Sequence, residues 1–300
     1  MNALRVRSIR PALLLAGCFL VAIAVAGCAT KSRSSFTFDW NLFIAELRPD
    51  APGVAGVIYI TVVVSVIAQA LGVMLGIFAA LGKMARLLPI KWIANCYIWI
   101  FRGTPLVVQL VLLYYGFAVA HIFDWSDQYV LGYTIKGALW AAIVILGVNE
   151  GAYMAEIVRA GIMAVDPGQT EAAKSLGMPY RMTMSRIVLP QAARVIIPPL
   201  GNEFNNMLKT TSLIFILGVI ETYNHYVVLQ AQNLRPFEAY LACACWFLLM
   251  TTIWSLIQGR IERRFARGTA TGSAPSNGPG LRTRLLGGRT LEGRDALGGH

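Results

Sequence analysis

The chain has 300 residues, 56% of them hydrophobic and only 14% charged, and carries a net charge of +11. A charged share well below the soluble norm of about 25%, with near-uncharged runs of about 20 residues that can cross a hydrocarbon core, excludes an ordinary soluble globular protein. The excess charge lies mostly in short loops and in the C-terminal stretch (Arg260, Arg263, Arg264, Arg267, Arg282, Arg284, Arg289, Arg294), where the positive-inside rule puts it, so nucleic-acid binding is excluded as well.

The first apolar run, Leu13 to Ala26, follows Arg5, Arg7 and Arg10 and ends in Val25-Ala26-Gly27-Cys28. A basic start, apolar middle and small-residue end have the form of a secretory signal. Two readings stand: a signal-anchor helix over residues 1–30, or a lipoprotein-type signal peptide with Cys28 as the lipidated residue. In both, residues 31–53 form a periplasmic segment.

From there the charges orient the chain. Val54 to Leu81 runs inward to Lys83, Arg86 and Lys91, and Leu106 to Ala120 returns outward to Asp124 and Asp127. Ile135 to Val158 crosses inward and delivers Arg159. Val195 to Ile220 goes out, and Tyr240 to Ile257 comes back to the arginine-rich end. Basic residues fall mostly inside, as expected. The expected fold is an all-α integral membrane protein, its transmembrane domain covering residues 54–264. A disordered basic tail is expected over residues 265–300, where Gly, Ser, Thr, Pro and Arg offer too little apolar surface to offset ordering entropy. Gly72 and Gly76 form a G-x3-G in the first span, a mark of close helix packing or, as the preferred reading, a chance occurrence in a Gly-rich membrane helix.

One polar stretch interrupts this pattern on the cytoplasmic side: DPGQTEAAKSLG, residues 166 to 177. Asp166 is a good N-cap, Pro167 suits the first helical position, and Gln169 three residues after the cap suggests a capping box. Gly177 can take the left-handed stop. A helix of about ten residues is marginal alone and needs a docking surface. Glu171-Ala172-Ala173, Gly177, Ile187 and Leu189-Pro190 stand in the spacing EAA-x3-G-x9-I-x-LP. The pattern closely resembles the EAA loop of bacterial ABC importer permeases, spanning residues 159–190 here. FRGTPLVVQL (101 to 110), GAYMAEIVRAGI (151 to 162) and NNMLKTTSLIFILGVIE (205 to 221) look like the polar amino-acid subfamily.

That resemblance covers residues 38 to 264 and implies a five-helix permease core, with the N-terminal segment as an addition. It implies a multi-pass location in the bacterial inner membrane and pairing with a second permease chain, the same or a sister. Two cytoplasmic ATPases that bind ATP and Mg, and a periplasmic amino-acid-binding protein, would complete the importer. Coupling would run through Gln169, Glu171, Ala172, Ala173, Lys174, Gly177, Ile187, Leu189 and Pro190. The chain would bind no cofactor itself. GIFAALGK (76 to 83) has one residue too many for a phosphate-binding loop and Met84 where Ser or Thr belongs.

A charge at mid-bilayer costs about 2.5 to 3.5 kcal/mol on insertion scales, so each charged residue in a span needs a reason. Lys209 follows Pro198 and Pro199, expected to break the preceding helix, and has Asn205, Thr210, Thr211 and Ser212 beside it. These are candidate pathway residues, with Lys209 attracting a substrate carboxylate; the alternative is that Lys209 snorkels to an interface or pairs with Glu203 or Glu221. Glu150 is a further candidate, for selectivity. Glu156 and Arg159, three apart on a helix, are expected to form a structural ion pair. Arg102 is expected to reach headgroups or the EAA loop. The cysteines other than Cys28 (Cys18, Cys96, Cys243 and Cys245), within or beside apolar segments, read as small buried hydrophobes. Scattered His121, His225 and His300 suggest no metal site, and no nucleophile set suggests an enzyme. A secondary transporter or channel, or a lipid-anchored assembly protein, are the competing classes.

Overall fold

The computed structural model describes residues 37–266 apart from Pro52 and Leu131. The expected N-terminal apolar helix, Cys28 and nearly all of the basic tail lie outside these residues. Two compact units are distinguished, Met1–Glu262 and Arg263–His300; of the second, only the end of the last helix is described.

Ten helices carry the described chain in order: α1 (Trp40–Glu46), α2 (Val54–Lys83), α3 (Leu88–Gly103), α4 (Leu106–Val111), α5 (Gly137–Met163), α6 (Pro167–Ser175), α7 (Tyr180–Thr183), α8 (Leu189–Thr210), α9 (Thr222–Asn233) and α10 (Pro236–Ala266). Helix α4 continues through a wide turn at Leu112–Gly116 into Phe117–Val119, a second wide turn at Met184–Val188 joins α7 to α8, and a tight 3-10 run, Thr211–Leu217, follows α8. Strands β1 (Gln128–Val130) and β2 (Tyr133–Ile135) pair antiparallel as a small hairpin. Helices α2, α5 and α10 are each long and apolar enough to span a membrane, and five spans result if each of two bent helix pairs counts as one.

The burial pattern is that of a membrane protein. On α2 the buried residues include Thr61, Ser65 and Gln69, while Tyr59, Ile67, Met74 and Phe78 are exposed. Polar groups face the bundle because there they find partners: Thr61 Oγ1 and Thr222 Oγ1 lie 2.8 Å apart, and Ser65 Oγ donates to Thr61 O at 2.7 Å. Apolar groups face outward, where hydrocarbon rather than water is the solvent.

The most extensive helix contact is the crossing of α2 and α5. A Cβ on Gly72 would stand 2.7 Å from Glu150 Cγ, one on Gly76 would overlap Met154, and one on Gly151 would stand 2.9 Å from Leu75 Cβ. Gly72-x3-Gly76 therefore faces Gly147-x3-Gly151. The chance reading of the first motif is overturned: without Cβ atoms the two backbones approach closely and gain dispersion contact.

Two further expectations fail. Residues 88–103, given no span, form α3, which meets the helix at Leu106–Val119 at 106°. Pro105 supplies no N–H and holds Thr104 extended, at φ −119° and ψ 144°. Carbonyls freed at this bend are recovered by Gln109, whose Nε2 donates to Phe101 O at 2.9 Å and Thr104 O at 3.1 Å, and by Asn149 Nδ2, 3.1 Å from Phe101 O. Pro198 and Pro199 do not break α8, which runs unbroken from Leu189 to Thr210. An interior proline costs about 3 kcal/mol, and packing offsets it: Phe204 meets Trp254 with ring centroids 4.3 Å apart, Trp254 Nε1 donates to Gly201 O at 2.8 Å, and Gln258 Nε2 to Asn202 Oδ1 at 3.0 Å.

Helix α1 lies in the segment read only as a periplasmic stretch. Asp39 caps it, its carboxylate accepting from Asn41 and Leu42 N–H groups. Tyr226 Oη and Trp246 Nε1 both donate to Glu46 O at 3.0 Å, fastening it to α9 and α10.

Candidate functional site

The EAA loop is built as its local signals require. Asp166 Oδ1 accepts from Gly168 N at 2.8 Å, starting α6. Gly177 ends it at φ +73°, with Gly177 N donating to Lys174 O at 2.9 Å and Met178 N to Ala173 O at 3.0 Å, a Schellman stop. The expected capping box does not form. Gln169 instead accepts from Gln191 Nε2 at 3.4 Å, which ties the helix to the base of α8.

Ala173, 2% exposed, is the buried residue of α6, which packs against α7 and the wide turn Met184–Val188. Gln169, Glu171, Ala172, Lys174 and Gly177 are exposed, Ile187 is half-buried, and Leu189 and Pro190 are exposed at the start of α8. Beside them Leu176 is 82% and Tyr180 69% exposed. The sequence reading omitted these two, since their exposure is visible only in the fold.

A cavity of about 590 Å³ lies between α5 and α8, lined by Leu106, Leu146, Asn149, Glu150, Tyr153, Glu203, Asn206, Met207, Lys209, Thr210 and Leu213. It takes in three of the proposed pathway residues, Glu150, Lys209 and Thr210. The other three are not among its walls. Thr211 is fully buried with its hydroxyl donating to Leu208 O at 2.8 Å and starts the 3-10 run, in which Ser212 follows it. Asn205 points its Oδ1 into the protein, where it is buried without a partner.

Glu203, Asn206, Lys209 and Thr210 occupy one face of α8, at steps of three and four. Asn149, Tyr153, Glu203 and Asn206 were missed as lining residues; the E-x2-N-x2-K spacing was the signal that could have shown them. Glu150 is 7% exposed and its Oε1 accepts from Gln69 Nε2 at 3.2 Å. Lys209 is exposed to the cavity and forms no ion pair with Glu203 or Glu221 among the described residues. A larger hollow of about 670 Å³ along Val107–Ala120 is lined almost wholly by apolar side chains and offers no comparable recognition chemistry.

Glu156 Oε2 lies 2.9 Å from Arg159 Nη2, and its Oε1 lies 2.5 Å from Lys83 Nζ. Among the described residues Arg102 forms no hydrogen bond or ion pair with the EAA loop; its guanidinium lies over the Tyr153 ring, 5.3 Å from the centroid. Cys243 is buried as expected, Cys245 half-buried, and Cys96 exposed. No group of three metal-ligating side chains occurs among the described residues.

Residues 72–267 match the family model described as binding-protein-dependent transport system inner membrane component. The arginine transport system permease protein ArgU of Corynebacterium glutamicum is 38% identical over 237 residues, 78% of this chain and 71% of that protein. The L-cystine transport system permease protein TcyB of Bacillus subtilis is 34% identical over 72% of this chain and 88% of its own length. Among solved structures, an amino acid ABC transporter crystallised with histidines aligns at a TM-score of 0.66 and 38% identity, over 76% of this chain and all of that one.

Proposed function

Because this chain belongs to the family of binding-protein-dependent transport system inner membrane components, we propose that it forms the membrane path of an ATP-driven amino-acid importer in the bacterial inner membrane. A second permease chain, the same or a sister, completes the path. Two cytoplasmic ATPases, which bind ATP and Mg, drive it, and a periplasmic binding protein delivers substrate. Helix α6 is the coupling element: it seats in a groove of the ATPase, and closure of the ATPases on nucleotide moves it.

The observation that carries this reading is the presentation of α6. It is capped at both ends, buried at Ala173, and offers Glu171, Lys174 and its C-cap Leu176 outward, with Tyr180 of α7 exposed beside them. Ala172 keeps its outer side slim. A short, marginal helix so exposed is a surface awaiting a partner. Its tie to Gln191 gives motion a route into α8 and so to the cavity wall.

The cavity suits an amino acid. Lys209 attracts the α-carboxylate, and Glu150 with Glu203 attract ammonium. Two carboxylates against one ammonium favour a substrate with a further positive charge, in keeping with the arginine named for one relative.

Co-purification tests the coupling reading. The wild-type chain should retain its cognate ATPase in fixed stoichiometry, and Glu171→Arg or deletion of residues 168–176 should lose it. Solute transport by the chain alone in liposomes, without ATPase or nucleotide, would instead make it a secondary transporter or channel.

A further inference from the structure

Where α2 and α3 end, Lys83 and Arg102 converge with Arg159 on one carboxylate. Lys83 Nζ lies 2.5 Å and Arg102 Nη1 4.0 Å from Glu156 Oε1, and Arg159 Nη2 lies 2.9 Å from Oε2. Three cations share one anion, so the cluster keeps an excess of two positive charges. A purely structural lock gains nothing from that excess, since like charges held together repel. The cations are also accessible, with side chains 27%, 43% and 30% exposed for Lys83, Arg102 and Arg159.

Arg102 is the telling member. At 4.0 Å its guanidinium is beyond hydrogen-bond reach of Glu156, and among the described residues its one other contact is the Tyr153 ring, 5.3 Å below. The aromatic contact holds the cation at the ring face, and its N–H groups have no hydrogen-bond acceptor among the described residues. A guanidinium fork fits a phosphate or carboxylate oxyanion with two hydrogen bonds. One turn before Arg102, on the same face of α3, Trp99 is 76% exposed. Free cationic donors thus stand directly beside an apolar surface that hydrocarbon must cover.

We propose that this cluster binds the phosphodiester headgroup of an anionic phospholipid, whose acyl chains lie over Trp99 and the apolar face of α3. Basic pockets between transmembrane helices are suited to such headgroups. The bound phosphate joins the ends of three helices and neutralises their excess charge. A carboxylate of another protein would satisfy the same cations, but the uncovered Trp99 beside them favours a lipid. The proposal rests on the membrane setting of the chain and not on coupling through α6.

The full chain in mild detergent, exchanged against phosphatidylglycerol or phosphatidylcholine and weighed by native mass spectrometry, tests it. Phosphatidylglycerol should be retained preferentially, and Arg102→Gln or Lys83→Gln should each lower its retention about fivefold, the usual effect of one basic residue. Glu156→Gln, which raises the local charge, should retain at least as much as wild type. Arg86→Gln removes a charge from the neighbouring loop and should leave retention within about twofold. Arg102 makes no hydrogen bond among the described residues, so Arg102→Gln remains informative if Lys83→Gln fails to fold. Equal retention of the two lipids, or unchanged retention in Arg102→Gln, would overturn the proposal. So would saturation by inorganic phosphate without any lipid preference, which assigns the site to a free anion. Loss of the ATPase in Arg102→Gln with lipid retention intact would give the cations to a protein partner.

Discussion

Gly72 on α2 lies so close beneath Glu150 on α5 that a Cβ in its place would stand 2.7 Å from Glu150 Cγ. The close packing of the bundle and the placement of its most buried lining carboxylate are therefore one feature. The crossing that excludes side chains at Gly72 and Gly76 holds Glu150 against Gln69 and leaves it at the cavity edge.

The crossing is sensitive to single methyl groups. Gly76→Ala should destabilise the protein by about 1–3 kcal/mol through overpacking, and Gly72→Val by more. Gly56→Ala, on the same helix with nothing within 4 Å of the added carbon, should be neutral or slightly stabilising. Thermal unfolding in detergent distinguishes them, and equal midpoints for Gly76→Ala and Gly56→Ala would refute the account.

The cavity charges predict opposite effects on substrate recognition. Glu150→Gln should reduce uptake of a cationic amino acid by about ten- to a hundredfold, the worth of one charge-assisted hydrogen bond. Lys209→Met should weaken transport of every amino acid, since all share the α-carboxylate. Uptake and substrate-stimulated ATP hydrolysis in reconstituted complexes read both. Unchanged values in Lys209→Met would remove that residue from the path.

Coupling should depend on the caps of α6 as well as on its contact residues. Asp166→Ala removes the acceptor for Gly168 N and should cost about 1 kcal/mol of helix stability. Gly177→Val forces a β-branched residue to φ +73° and should cost more. In both variants binding-protein-stimulated ATP hydrolysis should fall while the unfolding midpoint of the bundle changes little. A normal stimulated rate in Gly177→Val would mean that α6 need not keep its shape.

At the far end of α5, Asp127 Oδ1 accepts from Gly137 N at 2.8 Å, and its Oδ2 lies 2.9 Å from Lys136 Nζ. These contacts, the backbone N–H foremost, hold the carboxyl below the usual Asp range. A depressed native value means that the stabilisation is fully present above the unfolded value, about 3.9, and is lost as pH falls through the native one. Asp127→Asn should accordingly lower the unfolding midpoint at neutral pH, and the gap from wild type should close in acid. A pH-independent gap would contradict the ionic account.

Several features were legible from the sequence because they are set within a few residues of the chain. The apolar runs mark the spans, since hydrocarbon tolerates no unpaired polar backbone. Asp166, Gly177 and the EAA spacing mark α6, since caps act on the nearest turn. The spacing of Glu156 and Arg159 brings them together on any helix. What the tertiary structure alone decided depends on partners distant in sequence. Pro198 and Pro199 signal a break, but Trp254 and Gln258, more than fifty residues later, hold α8 continuous. Gly72-x3-Gly76 gains its meaning only from Gly147-x3-Gly151. Arg102 lies on Tyr153 because α3 and α5 meet there, and Glu150 shares a cavity with Lys209 because α5 and α8 enclose one. Local free energies fix elements and their ends, whereas which faces meet is settled by packing and by the need of each buried polar group for a partner.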